Sequence, residues 1–578
     1  MALFTPSESP AVVVKEIDLT GGVPNVQSTT GAIVGNFRWG PVEHRTSIAN
    51  EAQLVDTFAS PDTVNTIDFH SAAYFLRYSS SMQVVREVTS VAKNAVSTTG
   101  QTASATPPVE LVKNKDDFDA QLSALDSDQH TFVAKYPGLL GNSLKVSLCP
   151  ANDSAFDAWT YKSSFDAAPD TSSYATGKSA TDDEVHVAVI DATGDFTGTA
   201  NTVLETFPFL SQASDAKNTD GTVNFVKDAI NERSEYVWMV NFDSDYSFGG
   251  TTATSGKDFN SLTAATDYTF TQGLNSAALG TAEFATGHDL LEDKDIIEVD
   301  FLIAPGMGST TDQTTVVNDL IATAQSLRKD CVVVTSPARD DIINLTNPAT
   351  ITTNVVATAN TFTNSSYLVM DGNYLKVYDK YNDQYIHIPA ASSTAGLMAA
   401  TDINRAPWFS PAGSRRGQYL GITAISWTPT KAQRDTLYKA SVNPIANIPG
   451  QGVILFGDKT KLNRPSAFDR INVRRLFLVL ERAISRAAEQ VLFEFNDEFT
   501  RAEFVNIIEP VLREIKGRRG ITDFKVVADE TNNTAEVIDR NEFIANIFIK
   551  PARSINYVTL NFVAVRTGVD FEEVVGTV

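Results

Sequence analysis

Cysteine is nearly absent: the 578 residues hold two, Cys149 and Cys331. Neither belongs to a CxxC pair, and each sits in an apolar, strand-like run, SLCP and DCVVV. The pattern reads as buried free thiols in a reducing compartment. Histidine is scarce as well. His44, His70, His130, His186, His288 and His387 include no two at metal-ligand spacing, so no metal is expected. No G-x-S-x-G nucleophile elbow occurs, and scattered Ser, His and Asp residues do not make a triad. No run approaches the ~18 apolar residues of a membrane span. The opening MALFTPSESP lacks the basic and apolar regions of a signal peptide, so the chain is expected to be made and folded in a cytoplasm. Basic charge is in deficit: 46 Lys and Arg face 70 Asp and Glu, a net charge of −24. Nucleic acid is thus an unsuitable partner, because phosphate contacts need cations. The acidity reads either as solubility or as a field that shapes association with a basic partner.

What is present is pattern. A length of 578 residues and 42% hydrophobic content allow two to four domains with real cores. The best-patterned stretch is 463–568. Val473, Phe477, Leu480, Ile484, Ala487 and Val491 recur at helical spacing, with Arg474, Arg475, Glu481, Arg482 and Arg486 largely off that side. A second helix is expected to open with a capping box of Thr500 and Glu503. Its apolar stripe is Phe504, Ile507, Ile508, Val511, Leu512 and Ile515. Pro510 predicts a kink or short break, and Gly517 and Gly520 end the helix. Strands are expected over 524–528, 542–550 and 556–566. In the last, Val558, Leu560, Phe562 and Ala564 share one face by period-two alternation.

Upstream, 11–17 (AVVVKEI) is a short apolar strand bracketed by Pro6, Pro10, Gly21, Gly22 and Pro24. It reads either as an extended arm that adds to another sheet edge or as an ordinary first strand. Residues 32–34 and 82–88 read as strands, 50–58 and 70–78 as helices. Residues 94–108 are a linker by composition, and the Ser/Asp/Ala/Thr-rich 151–182 belongs to an inserted segment. Residues 185–190 and 237–240 are strands, and 242–280 reads as a surface loop. The series 296–303, 312–328 and 332–334 is a βαβ unit, so part of the middle region holds a parallel sheet. The turn APGMGSTT inside it, 304–311, has Gly306 and Gly308 but neither a third glycine nor a P-loop lysine, and reads as a tight βα turn. Residues 350–366 read as a Thr/Asn-rich loop. Asp371, Gly372, Asn373 and Asp379 read as a turn with solvated carboxylates rather than a calcium loop. Arg415 and Arg416 read as a solvated or interdomain pair. Arg513, Lys516, Arg518 and Arg519 cluster at the end of the second helix. They read either as partners of the helix dipole or as a basic edge for an acidic surface.

Several words occur together and in order. RPSAFDRINVRRLF, the RG-I-DF-V turn and the closing strand pattern resemble the C-terminal domain of contractile-tail sheath proteins of bacteriophages. VGNFRWGP, LVDTF, AAYFLRY, VVREV and GDFTGTANTVLE are similar to sheath proteins of T-even-like myoviruses. The resemblance implies an α/β and α+β multidomain chain. Its parts are an N-terminal arm (1–23), an N-terminal core segment (24–95), a mostly-β inserted outer domain (96–183), an α/β middle domain with a partly parallel sheet and surface-loop insertions (184–462), and a C-terminal inner domain of two helices and a small sheet with a terminal arm (463–578).

It further implies a mechanical role without enzymatic activity or cofactor. Subunits form sixfold rings stacked around a tail tube, with tube, baseplate and terminator proteins as partners. They contract to drive the tube through a host envelope, in a virion assembled in a bacterial cytoplasm, with no direct membrane insertion. Strand addition between subunits falls on Val12, Val13, Val14 and Ile17, and on Val558, Leu560, Phe562 and Ala564. Gly21, Gly22 and Gly568 become hinges, and Arg513, Lys516, Arg518 and Arg519 a tube-facing edge. A bacterial contractile injection particle is the nearest alternative, and a nucleotide-binding α/β enzyme a more distant one.

Overall fold

The strand Gly31–Gly35 has no outward face: all five residues are buried. That is the mark of a strand in a parallel sheet covered on both sides, and it is why GAIVG shows no polar alternation. In the computed structural model, which describes residues 28–97, 111–127, 131–240, 251–259 and 264–555, this strand lies inside a six-stranded sheet. The order is Leu368–Met370, Val332–Thr335, Phe301–Ile303, Gly31–Gly35, Met82–Arg86 and Arg45–Ile48. All neighbours are parallel except the last pair.

Alternate residues feed two cores. Ala32, Val34, Leu302, Val333 and Leu368 pack in one cluster with Val316, Leu320, Ile351 and Val355 from the helices Thr310–Ala322 and Pro348–Thr361. Ile33, Ile303, Val334 and Val369 face the other, against Phe69, Phe75, Ala395 and Met398 from the helices Thr66–Phe75 and Ala391–Asn404. The βαβ unit is present, with its helix continuing through a π-turn to Arg328. Its first strand is shorter than expected and covers only Phe301–Ile303.

A second sheet has seven strands, ordered Thr202–Ser211, Glu184–Asp191, Leu144–Pro150, Thr266–Thr271, Val96–Ser97, Phe132–Ala134 and Val237–Met239, with every neighbour antiparallel. Two expectations change here. A boundary at 183/184 would cut through a hydrogen-bonded pair, since Leu144–Pro150 runs in register with Glu184–Asp191. The surface loop read over 242–280 contains the strand Thr266–Thr271. Its Tyr268 and Phe270 are buried while Asp267, Thr269 and Thr271 point out. Low-complexity flanks hid that alternation.

The sheets meet around Arg86, whose side chain is buried. It donates Nε to Phe37 O (2.8 Å), Nη1 to Gly40 O (2.6 Å) and Nη2 to Pro137 O (2.6 Å), with Arg38 O at 3.4 Å. Burial pulls its guanidinium down to about 9. A three-stranded sheet (Gln384–Pro389, Tyr374–Asp379, Ala424–Ile425) and the hairpin Ile445–Ile448/Gly452–Leu455 complete this unit.

Residues 350–361 of the expected loop are helix, and only 362–366 remain without regular structure. Helix Pro348–Thr361 starts at Asn347, whose side chain accepts from Ala349 N, with Pro348 in the first turn. Thr352 and Thr353 turn their hydroxyls back onto the carbonyls of Pro348 and Ala349, which satisfies them within the helix.

The described residues divide into two compact units, 28–407 with 411–481, and Trp408–Ser410 with 482–555. The division falls inside helix Ile471–Glu489, which ends before Val491. Arg474 and Arg475 were expected off the apolar side, yet both are buried. The first turns of this helix are enclosed on every side. Arg474 sits over the rings of Tyr367 and Phe468 at 4.3 and 4.2 Å and donates to Ser366 Oγ (2.6 Å). Arg475 pairs with Asp402.

Candidate assembly surface

The smaller unit is built on helix Glu498–Gly517. Its cap is Asp497, which accepts from Thr500 N at 2.8 Å. The helix therefore starts one turn before the expected Thr500–Glu503 box, and Thr500 is the residue being capped. Phe504, Ile508, Leu512 and Ile515 are buried on one face. The helix runs through Pro510 as a single element.

Two antiparallel strands follow, Ile521–Val527 and Asn546–Pro551, with Phe524 opposite Ile549 and Val526 opposite Ile547. These inward residues are half-buried, while Lys525, Phe548 and Lys550 point out. The second strand starts four residues later than expected, because 542–545 belong to a long connection. Buried Asn533 ties that connection together. Its Nδ2 donates to Ile544 O, and its Oδ1 accepts from Ile544 N, both at 2.8 Å. At the other end, Trp408 Nε1 donates to Arg518 O (3.1 Å).

A two-stranded sheet is at the margin of independent stability and invites further strands. The residues proposed to supply them, Val12, Val13, Val14, Ile17, Val558, Leu560, Phe562 and Ala564, lie outside the described residues, as do the hinge glycines Gly21, Gly22 and Gly568. The four cations of the expected basic edge are all exposed at the end of the helix. Three face carboxylates of their own unit: Arg513 and Glu509 (2.5 Å), Lys516 and Asp523 (3.1 Å), Arg518 and Glu514 (3.4 Å). Exposed pairs of this kind contribute little and exchange partners readily. Arg519 takes a left-handed φ of 67° just after the helix, and Gly520 packs its backbone against Ile515 and the Trp408 ring.

The opposite end of the helix carries a feature missed in the sequence. Leu492, Phe493, Phe495 and Phe499 are strongly exposed, Phe493 wholly so. They alternate with Glu494, Asp497 and Glu498, all exposed. The word LFEFNDEF held the signal, since its apolar residues fit neither the stripe of the preceding helix nor that of the next.

The other marked positions are occupied by protein. In the 304–311 turn, Ser309 caps the helix by accepting from Asp312 N (3.1 Å), and Gln313 accepts from Met307 N (2.8 Å). A Cβ on Gly306 would lie 2.9 Å from the Tyr374 hydroxyl. Asp371 and Asp379 are not solvated; both are fully buried. Asp371 accepts from Ser336 Oγ (2.9 Å) and Thr394 Oγ1 (3.1 Å), and burial pushes its carboxyl up to about 7. Asp379 accepts from Thr66, Asn382 and the Tyr381 N–H, with His70 at 3.1 Å. Although burial opposes it, these hydrogen bonds hold Asp379 below the usual carboxylate range. They were misread because chain position alone does not place a turn beneath a helix. Arg415 is exposed and Arg416 half-buried. Both thiols are buried, and burial pushes them up to about 12. Among the described residues, no three His, Cys, Asp or Glu side chains gather closely enough to hold a metal, and no helix is long and apolar enough to cross a membrane.

Residues 285–461 match the family model of the phage tail sheath protein central domain, and 463–564 that of the phage tail sheath C-terminal domain. The chain is 31% identical to the tail sheath protein of Enterobacteria phage T4, over 98% of this chain and 99% of the relative. Identity and coverage are the same for the tail sheath protein of Vibrio phage KVP40. The fold is similar to that of a sheath tail protein from Listeria innocua, with a TM-score of 0.55 and 12% identity over 92% of this chain and 94% of the other. Likeness of this extent places the chain in the phage tail sheath family.

Proposed function

We propose that this chain is the structural subunit of a contractile phage tail sheath. It polymerises as stacked sixfold rings around a tail tube and shortens to drive the tube through the host envelope. The observation that carries this is the 31% identity with tail sheath proteins over nearly the whole length of both chains. The role is mechanical, and no residue is assigned to catalysis. The particle is a virion tail, assembled in the bacterial cytoplasm with tube, baseplate and terminator proteins.

The small two-stranded sheet favours a mesh joined by strand addition. Val12, Val13, Val14 and Ile17 from one neighbour, and Val558, Leu560, Phe562 and Ala564 from another, would extend it through main-chain hydrogen bonds. Gly21, Gly22 and Gly568 would let the links bend while the pairing persists. A head-to-tail contact that does not close gives a helical array. Contraction then needs no nucleotide if the extended array is kinetically trapped. About 400 Å² of added apolar contact per subunit is worth on the order of 10 kcal/mol before ordering costs.

The test is negative-stain electron microscopy of the purified chain over a range of salt. Uniform hollow tubes with helical striations are expected. Dispersed monomers at every condition, with and without added tube protein, would overturn the reading. Deleting 1–20 should leave a folded chain that builds no long tubes.

A further inference from the structure

The smaller unit is electrically polar. Helix Glu498–Gly517, of 20 residues, separates two ends by about 30 Å. The strand Ile521–Val527 returns along it, and the connection 528–545 brings Glu542 to the starting end, where Asn496 Nδ2 donates to Glu542 O (2.7 Å) and Phe504 meets Phe543 at 5.1 Å. That end presents Glu494, Asp497, Glu498 and Glu542, with Arg540 paired to Glu542. Strand Asn546–Pro551 then carries the chain back to the finishing end, where Ala552 N bonds Gly520 O (3.1 Å). There Arg513, Lys516, Arg518, Arg519, Lys550 and Arg553 outnumber Glu509, Glu514 and Asp523. Each end also carries the charge sign that the helix dipole favours, so the separation is stable within the unit.

Among the described residues, the exposed aromatic cluster lies at the negative end. Phe493, Phe495 and Phe499 are 105%, 83% and 76% exposed, and Leu492 61%. Rings this open amid carboxylates suit a partner that offers cations together with apolar side-chain stems. The guanidinium and ammonium groups of the positive end do so, since Arg and Lys bury their stems against rings and keep their charges outward.

We propose that the acidic-aromatic turn of one copy docks on the basic end of the helix of the next copy. This gives a head-to-tail contact between smaller units in addition to any shared strand. It rests on the self-assembly reading above, and it names the partner of the basic residues as a second copy of this chain rather than another protein. A contact between two different surfaces does not close on itself after two copies, and complementary charge fixes its direction.

Two full-length variants test it, Glu494→Lys with Glu498→Lys, and Arg513→Glu with Lys516→Glu. All four positions are exposed, so both chains should fold. Sedimentation and microscopy would follow association at low and high salt. Wild type should associate at low salt and weaken as ions screen the contact. Each variant alone should associate about tenfold more weakly or worse. Mixed in equal amounts, they should co-assemble to near wild-type level, because each reversed end then meets an opposite charge. Variants that assemble like wild type, or a mixture that stays dispersed, would overturn the contact while leaving the sheath reading intact. Wild type that never associates, even with tube protein, would overturn both.

Discussion

Arg475 holds Asp402 with both arms of its guanidinium, inside the protein, where neither side chain is more than 5% exposed. The same Arg475 donates to Met398 O and Ser28 O, each at 3.1 Å, and Ser28 Oγ donates to Asp402 (2.8 Å). One ion pair thus ties together Ser28, just ahead of strand Gly31–Gly35, helix Ala391–Asn404, and the start of the long helix Ile471–Glu489. Burial nonetheless pushes Asp402 up to about 6, against the pull of Arg475. Removing one partner strands the other. Asp402→Ala should lower stability by about 3–5 kcal/mol, whereas the double apolar replacement Asp402→Leu with Arg475→Leu should cost less. Thermal melts of both chains decide it, and a double variant weaker than the single would refute the reasoning.

Asp371 gives a pH signature. Burial raises its carboxyl from 3.8 to about 7, only partly offset by the Ser336 and Thr394 hydroxyls. A folded state that holds a proton the unfolded chain has released is favoured at low pH. Its contribution is full below 3.8 and is lost as pH rises towards 7. Relative to wild type, Asp371→Asn should therefore gain in melting temperature as pH rises across that window, then level off. A constant offset at every pH would show that Asp371 does not titrate there.

Gly396 sets sterics against propensity. It lies mid-helix, where Ala would ordinarily gain about 1 kcal/mol. A Cβ at Gly396 would stand 2.4 Å from Cδ2 of Tyr78, a buried ring whose hydroxyl accepts from Leu420 N. Overpacking costs about 1–3 kcal/mol, so Gly396→Ala should destabilise. A raised melting temperature would mean Tyr78 moves freely.

Asn533 should control one segment only. Asn533→Ala removes the bonds to Ile544 and leaves two half-buried backbone groups without that partner, at about 1 kcal/mol each. Hydrogen exchange should quicken over 529–545 while Gly31–Gly35 stays protected. Uniform quickening would instead point to global loss of stability.

Continuous apolar runs made the buried sheet legible. Ala32, Val34 and Val333 had only one way to be apolar without alternation. The helix Glu498–Gly517 was equally readable, apart from its cap, because Asp497 and Thr500 both suit that position and only geometry chooses. Composition misled where structure was local. Thr352 and Thr353 looked like loop residues until their hydroxyls found helix carbonyls, and Tyr268 and Phe270 were two inward residues in a Gly- and Ser-rich tract. Arg474 and Arg475 could not be placed from sequence. Their counterparts, Tyr367, Phe468 and Asp402, come from separate elements, and cation burial follows from partners rather than from spacing.

Arg86 has a mechanical consequence. Its fork takes carbonyls from the 37–40 loop beside the six-stranded sheet and from Pro137 beside the seven-stranded one. Carbonyl oxygens cannot be titrated away, and the buried contact is shielded from salt. The fastening should therefore hold through salt and acid that loosen surface contacts, and give way only in alkali, where the guanidinium, drawn down to about 9, loses its proton. The seven-stranded sheet would then travel with the six-stranded one as cargo bolted to its carrier.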